Sequence, residues 1–386
     1  MGTGLLPARA RRTHKFATTG LGCAALIAAV FGLSACLSAP APTSRQASPL
    51  AVNTAQPSSP AATPVSTAVA TPKVTPFSPP HDDGSVLLTG ATAVAVGVGR
   101  NCALLAASGK VMCWGQSVPV GNGEDSGTPL DFGFDSSKAV SVGAMSVCAV
   151  TVKGTVECDG DPVPGIIGAT AVAVGWDYSC AIVSHGSVEC WGVNEVGQLG
   201  NGTTVDSDKP VTVVGITGAT AITAGDLHAC AIVSGGAVRC WGHNDVGQLG
   251  NGTTIDSDIP VAVLGLIGAT SIAATEMEST DGTGQTCAIV SGGITCWGIG
   301  VLRGGWTPVT MTGVRVDAIS AGGGNVCAII SGGAVKCWGG AYGYGKLPDD
   351  LTGVAAVAVS VNYTCVVVAR GTVRCWGDAF NYDSGG

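Results

Sequence analysis

The chain has 386 residues, 60 of them glycine and 16 cysteine, with 11% charged and 5% aromatic residues and a formal net charge of −8. Glycine runs at about twice ordinary usage and charge at about half. Such a chain is neither a disordered polyelectrolyte nor a basic nucleic-acid binder. So many cysteines also exclude an ordinary cytosolic enzyme unless they hold metal.

Residues 1–35 carry Arg9, Arg11, Arg12 and Lys15 and no acidic residue, followed by an apolar run over 21–32. A basic start, a short apolar stretch and small residues beyond it form a secretory signal, and the run is too short to span a bilayer. Leu33-Ser34-Ala35-Cys36 resembles the lipobox of bacterial lipoproteins, which implies cleavage before Cys36 and lipid attachment to it. An ordinary signal cut near Ala39 is the alternative. Without residues 1–35 the chain keeps 14 basic against 26 acidic residues, a net charge of −12. Nucleic acid is therefore excluded as a partner, and the only expected membrane link is the lipid. Residues 36–84, with ten of the 19 prolines among alanine, serine and threonine, read as an extended tether that cannot bury a core.

Residues 85–386 are repetitive. Residues 168–216 and 218–266 are nearly identical at a period of 50, and looser copies fill the rest. A cysteine pair marks each copy: Cys102 with Cys113, Cys148 with Cys158, Cys180 with Cys190, Cys230 with Cys240, Cys287 with Cys296, Cys327 with Cys337 and Cys365 with Cys375. With Cys23 in the leader and Cys36 lipidated, all 16 are accounted for. In each pair, apolar β-formers flank a tight turn. Turn length varies by a residue while the cysteines stay opposite each other, as a cross-strand disulfide requires. Metal is the competing use, but CxxC knuckles are missing and spacings of nine to eleven residues within a hairpin suit zinc poorly.

Four strands are predicted per repeat: an inner one (91–97, 139–143, 169–175, 219–225, 269–274, 315–322, 354–360), the two arms of the cysteine hairpin, and an outer one opening at proline (129–132, 162–167, 210–214, 260–264, 308–312, 347–352). The seventh hairpin has no outer strand after it, whereas Ser85–Gly90 precedes the first inner strand. Joining the ends predicts an all-β, seven-bladed propeller of four-stranded blades, closed by its N-terminal strand.

The segments Cys-Ala-Ile-Val…Cys-Trp-Gly-x-Asn-x-x-Gly-Gln-Leu-Gly at 180–200 and 230–250 resemble the regulator of chromosome condensation repeat. That resemblance implies the same seven-bladed fold over roughly 85–380, and it places Trp114, Trp191, Trp241, Trp297, Trp338 and Trp376 in a structural slot. It does not carry over a partner, because the founding member acts on a nuclear GTPase and chromatin.

No catalytic constellation is present: no nucleophile elbow, zincin motif or phosphate loop, hence no enzyme, no cofactor and no metal. Asp206-x-Asp208 and Asp256-x-Asp258 beside Asn201 and Asn251 read as turn and capping residues, with calcium binding the sharper alternative. The acidic trio Glu276, Glu278 and Asp281 is the sole basis for a lyase or hydrolase reading.

In an up-and-down blade, the turns inside the cysteine hairpins share one face and are short, while the other face carries the long loops. To that elaborated face fall Tyr178, Tyr342, Tyr344, Tyr363, Tyr382, Trp176 and Trp306, with Arg100, Met145, Leu227, His228, Met277 and Arg303 varying between repeats. These residue types favour interfaces. The expectation is a monomeric, tethered propeller that binds a protein through this face, with a glycan-binding module as the alternative.

Overall fold

The computed structural model describes residues 86–115, 126–134, 136–275, 284–300, 302, 305–311, 313–339, 351–360 and 363–377. The leader, Cys36 and the proline-rich segment lie outside them. Seven antiparallel sheets form the blades of a propeller, six with four strands and one with three among the described residues. The third blade is representative, with Ala171–Val174 innermost, then Tyr178–Ile182, Val188–Gly192 and Ser207–Thr212. Closure follows the expected scheme. Val86–Leu88 pairs with Thr372–Gly377, placing the N-terminal strand outermost in the last blade.

All seven cysteine pairs are disulfides between directly opposed residues. Cys102 is bonded to Cys113, Cys148 to Cys158, Cys180 to Cys190 and Cys230 to Cys240. Cys287 is bonded to Cys296, Cys327 to Cys337 and Cys365 to Cys375. The Cα atoms of Cys180 and Cys190 are 4.0 Å apart, the close spacing of a non-hydrogen-bonded antiparallel pair. Cys113, Cys296 and Cys375, each on the second arm of its hairpin, are buried, so these bonds belong to the blade interior and offer nothing to a ligand. Seven disulfides suit an oxidising compartment. No helix among the described residues is long and apolar enough to cross a membrane.

The outer strands depart from expectation. In three blades they begin about three residues before the proline, at Ser126–Asp131, Ser207–Thr212 and Ser257–Ala262, while in the fifth Val309–Met311 lies within the expected 308–312. Pairing runs through a bulge, with Cys190 opposite Val211 but Gly192 opposite Ser207. Pro210 sits inside that irregularity, where a missing N–H breaks no ladder bond. In the second blade the outer strand shrinks to Asp161–Pro162. In the sixth, Leu351 and Thr352 are not in a strand, and 347–350 lie outside the described residues.

Cohesion comes from sheet faces packed blade against blade. Cys180, Ile182 and Val188 of the third blade share a buried cluster with Ala229, Ala231 and Trp241 of the fourth. Each fully buried aliphatic side chain contributes about 1.5–3 kcal/mol. The inner strands of all seven blades line a channel of about 240 Å³. At the level of the cysteines, its wall alternates between alanine and a hydroxyl residue: Ala95, Ser141, Ala173, Thr223, Ala273, Ser320, Ala358. The hydroxyls of Ser141, Thr223 and Ser320 each accept the backbone N–H of the next blade at 3.1 Å, from Val174, Ala274 and Val359. An odd number of blades leaves two alanines adjacent, Ala358 and Ala95, at the seam that the N-terminal strand closes.

Candidate functional site

The loop-bearing face begins where each inner strand turns into the cysteine hairpin. Glycine stands at this turn in five blades, with Thr275 and Ser360 in the fifth and seventh, and in the second and sixth the neighbouring blade leaves no room for a side chain. A Cβ on Gly143 would lie 2.2 Å from the carbonyl oxygen of Gly175, and one on Gly322 would lie 2.2 Å from that of Val359. Met145, on the turn of the second blade, is 55% exposed, and Trp176, on that of the third, 38%. The Trp176 N–H donates to the carbonyl of Asp226 at 3.3 Å, tying it to the fourth-blade turn that carries half-buried Leu227. Met145, Trp176 and Leu227 thus follow one another around the rim.

Two expected contact residues are corrected. Tyr178 and His228 are each 3% exposed. Each lies two residues before the first cysteine of its hairpin, so alternation along the strand puts it on the sheet face that packs against the next blade. The Tyr178 hydroxyl donates to the carbonyls of Gly225 and His228. Burial, with a further push from the Asp226 charge, raises it well above its ordinary range. His228 Nε2 and Thr286 Oγ1 are 2.8 Å apart, and that hydroxyl donates onward to the Gln248 carbonyl at 3.1 Å. The hydroxyl proton is thereby engaged, which assigns the imidazole proton to Nε2. Burial, and secondarily His243, lowers the His228 pKa to about 3, so the ring is neutral. Both side chains are rivets between blades and present no surface to a partner.

The remaining candidates scatter. Arg100 has a side chain 13% exposed and is ion-paired with Asp159 of the next blade at 3.3 Å. Tyr363 is half-buried. Trp306 is 56% exposed but stands on the fifth blade, where its carbonyl accepts the Gly252 N–H at 2.9 Å. Met277, Arg303, Tyr342, Tyr344 and Tyr382 lie outside the described residues, as do Glu276, Glu278 and Asp281.

The two long loops are built around buried asparagines that sequence reading did not single out. Asn194 Oδ1 accepts the Leu199 N–H at 2.9 Å, while Nδ2 donates to the carbonyls of Thr203 and Val205 at 2.8 and 3.1 Å. Asp206 accepts the backbone N–H of Asn194 at 2.9 Å, and Asn201 caps Thr203. Asn244, Asp256 and Asn251 repeat the arrangement. These side chains serve the loop itself, and no group of three or more metal-ligating side chains is assembled among the described residues. The signal was the doubled Asn-x-x-Gly-Gln-Leu-Gly motif. Each loop also covers the next blade: Gln198 and Gln248 carbonyls accept the indole N–H of Trp241 and Trp297, both at 2.9 Å. The acidic residues Asp177 and Asp226 on the rim were likewise missed. Desolvation lifts the Asp177 carboxyl above the ordinary carboxylate range.

Residues 169–198 and 219–248 match one profile of the Regulator of chromosome condensation (RCC1) repeat, and 185–232 and 235–277 match a second profile of the same description. No curated protein sequence matches the chain. Among solved structures, human WBSCR16 is similar over 77% of this chain and 88% of its own, at 17% identity and a TM-score of 0.61. Yeast RCC1 (Prp20), solved bound to Kap60, is similar over 75% and 80%, at 17% identity and a TM-score of 0.58. The ectodomain of the Physcomitrella patens receptor kinase CR4 is similar over 76% and 75%, at 21% identity and a TM-score of 0.52. These identities speak to fold alone. Residues 169–277 therefore carry repeats of the regulator of chromosome condensation type, within a propeller whose fold those structures share.

Proposed function

We propose that this chain is an exported, disulfide-stabilised propeller, tethered through lipid on Cys36, that binds a protein partner with its loop-bearing face. The observation that carries this reading is the apolar rim at the channel mouth. Met145 and Trp176 are exposed beside Leu227 on consecutive blades, on turns whose glycines pack closely against their neighbours. Large apolar side chains held in place lose little entropy on binding, which is what an interface anchor requires. The candidate positions Tyr178 and His228 act behind this rim by locking the blades that carry it.

The test places a photo-crosslinking phenylalanine analogue at position 176, and in a second protein at Ile267, which is 73% exposed on the opposite face. Irradiation of intact cells is expected to give discrete protein adducts from position 176 and none from 267. Adducts of equal yield from both positions would defeat the rim reading. Cys36→Ser should release the chain from the membrane fraction, and retention there would remove the lipid tether.

A further inference from the structure

We infer that the rim over blades two to four receives a cationic polypeptide segment carrying an apolar anchor side chain. This deepens the docking reading above and rests on it. The net charge of −8 is not spread evenly. On the loop-bearing face of blades two to four, Asp177, Glu195 and Asp245 are exposed and Asp159 is paired with Arg100, while the exposed cation there is Lys209. The opposite face of the same propeller carries exposed Lys138, Lys153 and Arg370, with exposed Asp131 and Asp317 among them. The loop-bearing face of these blades is thus the more acidic of the two, which composition alone does not require.

The apolar and acidic features share one place. Asp177 directly follows Trp176, and the Asp226 carbonyl accepts the backbone N–H of Trp176. A lysine or arginine laid on the indole would gain a cation–π contact and a carboxylate together, while an apolar neighbour in the same segment would cover Met145 and Leu227. An anionic bilayer or an acidic polypeptide meets repulsion here. A neutral glycan would use the indole but leave the carboxylates idle.

The experiment measures binding of the full chain, by fluorescence anisotropy, to a short labelled peptide of lysine and phenylalanine. A matched glutamate peptide and a neutral gluco-oligosaccharide are run beside it. The lysine peptide is expected to bind roughly tenfold or more tighter than either, and to weaken as salt is raised. Joint Asp177→Lys and Glu195→Lys substitution should weaken it by about tenfold. Trp176→Ala should do so by a similar factor, with the unfolding midpoint unchanged in both variants. Equal binding of the lysine and glutamate peptides, or indifference to charge reversal, would overturn the cation inference whatever the crosslinks show. Equal crosslinking from both faces would overturn the rim reading whatever the peptides show.

Discussion

The third and fourth blades, nearly identical in sequence, differ from the second in one structural consequence. Both carry the asparagine-centred loop and a six-residue outer strand. Cys190 and Cys240 are fully buried beneath them. The second blade has Asp159-Gly160 in place of Trp-Gly and a two-residue outer strand. Its Cys158 is half-buried. The effect passes to the next blade as well. Trp241 and Trp297, each covered by a preceding long loop, are 0% exposed, whereas Trp191, which follows the short second-blade loop, is half-buried. In these blades the loop of one therefore covers the tryptophan of the next, so that the cover is supplied by a neighbour rather than by the repeat itself.

The strongest way to break this difference is to make the fourth blade resemble the second. Asn244→Ala removes the acceptor of the Leu249 N–H and the donor to the Thr253 and Ile255 carbonyls. All of this lies around a side chain that is 0% exposed. Orphaned buried groups cost about 1–3 kcal/mol each where water cannot enter. Partial opening of the loop limits the loss to about 3 kcal/mol in urea unfolding. Trp297 emission should shift to the red as its cover at Gln248 loosens. An unchanged midpoint and spectrum would mean that the loop is ornament.

The hairpin register and the ring closure were legible because both are counting problems. Cysteines stay opposite each other only if the turn lies midway, and a missing last outer strand must be matched by a surplus first one. Outer-strand boundaries were not legible, because Pro210 marks a bulge inside the strand and a bulge leaves no periodic trace. Tyr178 and His228 were misplaced for a different reason. A polar aromatic near a loop reads as a surface anchor, yet its offset of two from a buried cysteine puts it on the packed side. That offset was the available signal. The rim residues Met145 and Trp176 were legible as departures from the repeat, whereas the acidic bias of their face emerges only when strands from different blades are set side by side.

His228 offers a second contrast, this time with Tyr178, which fills the equivalent position one blade earlier. In the folded chain the imidazole pKa is lowered to about 3, whereas in the unfolded chain it takes a proton near pH 6.5. Its contribution is therefore fully present above about pH 6.5 and is lost as pH falls towards 3, because only the unfolded state then binds the proton. Between pH 6.5 and 4.5 the loss is about 2–3 kcal/mol. In a His228→Tyr chain, which borrows the third blade's solution, the drop in stability over that interval should be smaller by about 2 kcal/mol. Equal acid sensitivity in the two chains would show that His228 ionises without opening the seam between blades.

The mildest test asks the disulfides themselves which blades are sealed. Thiol–disulfide exchange needs in-line approach of a thiolate to one sulfur, so access governs the rate when the bonds are otherwise alike. Here they are alike: each joins opposed residues of a short hairpin, with Cα atoms 4.1 Å apart at Cys148–Cys158 and 4.0 Å at Cys230–Cys240. They differ in cover, since Cys158 and Cys337 are half-buried while both cysteines of the third and fourth blades are at 0%. Brief reduction under native conditions, followed by alkylation and mass mapping, should open Cys148–Cys158 and Cys327–Cys337 about tenfold sooner than Cys180–Cys190 or Cys230–Cys240. If all seven bonds open together, reduction proceeds through global unfolding, and the outer strands shield nothing on their own. If the second and sixth blades open first, Asn244→Ala should add Cys230–Cys240 to the early group, because the loop it loosens joins the second hairpin arm to the outer strand that covers this bond.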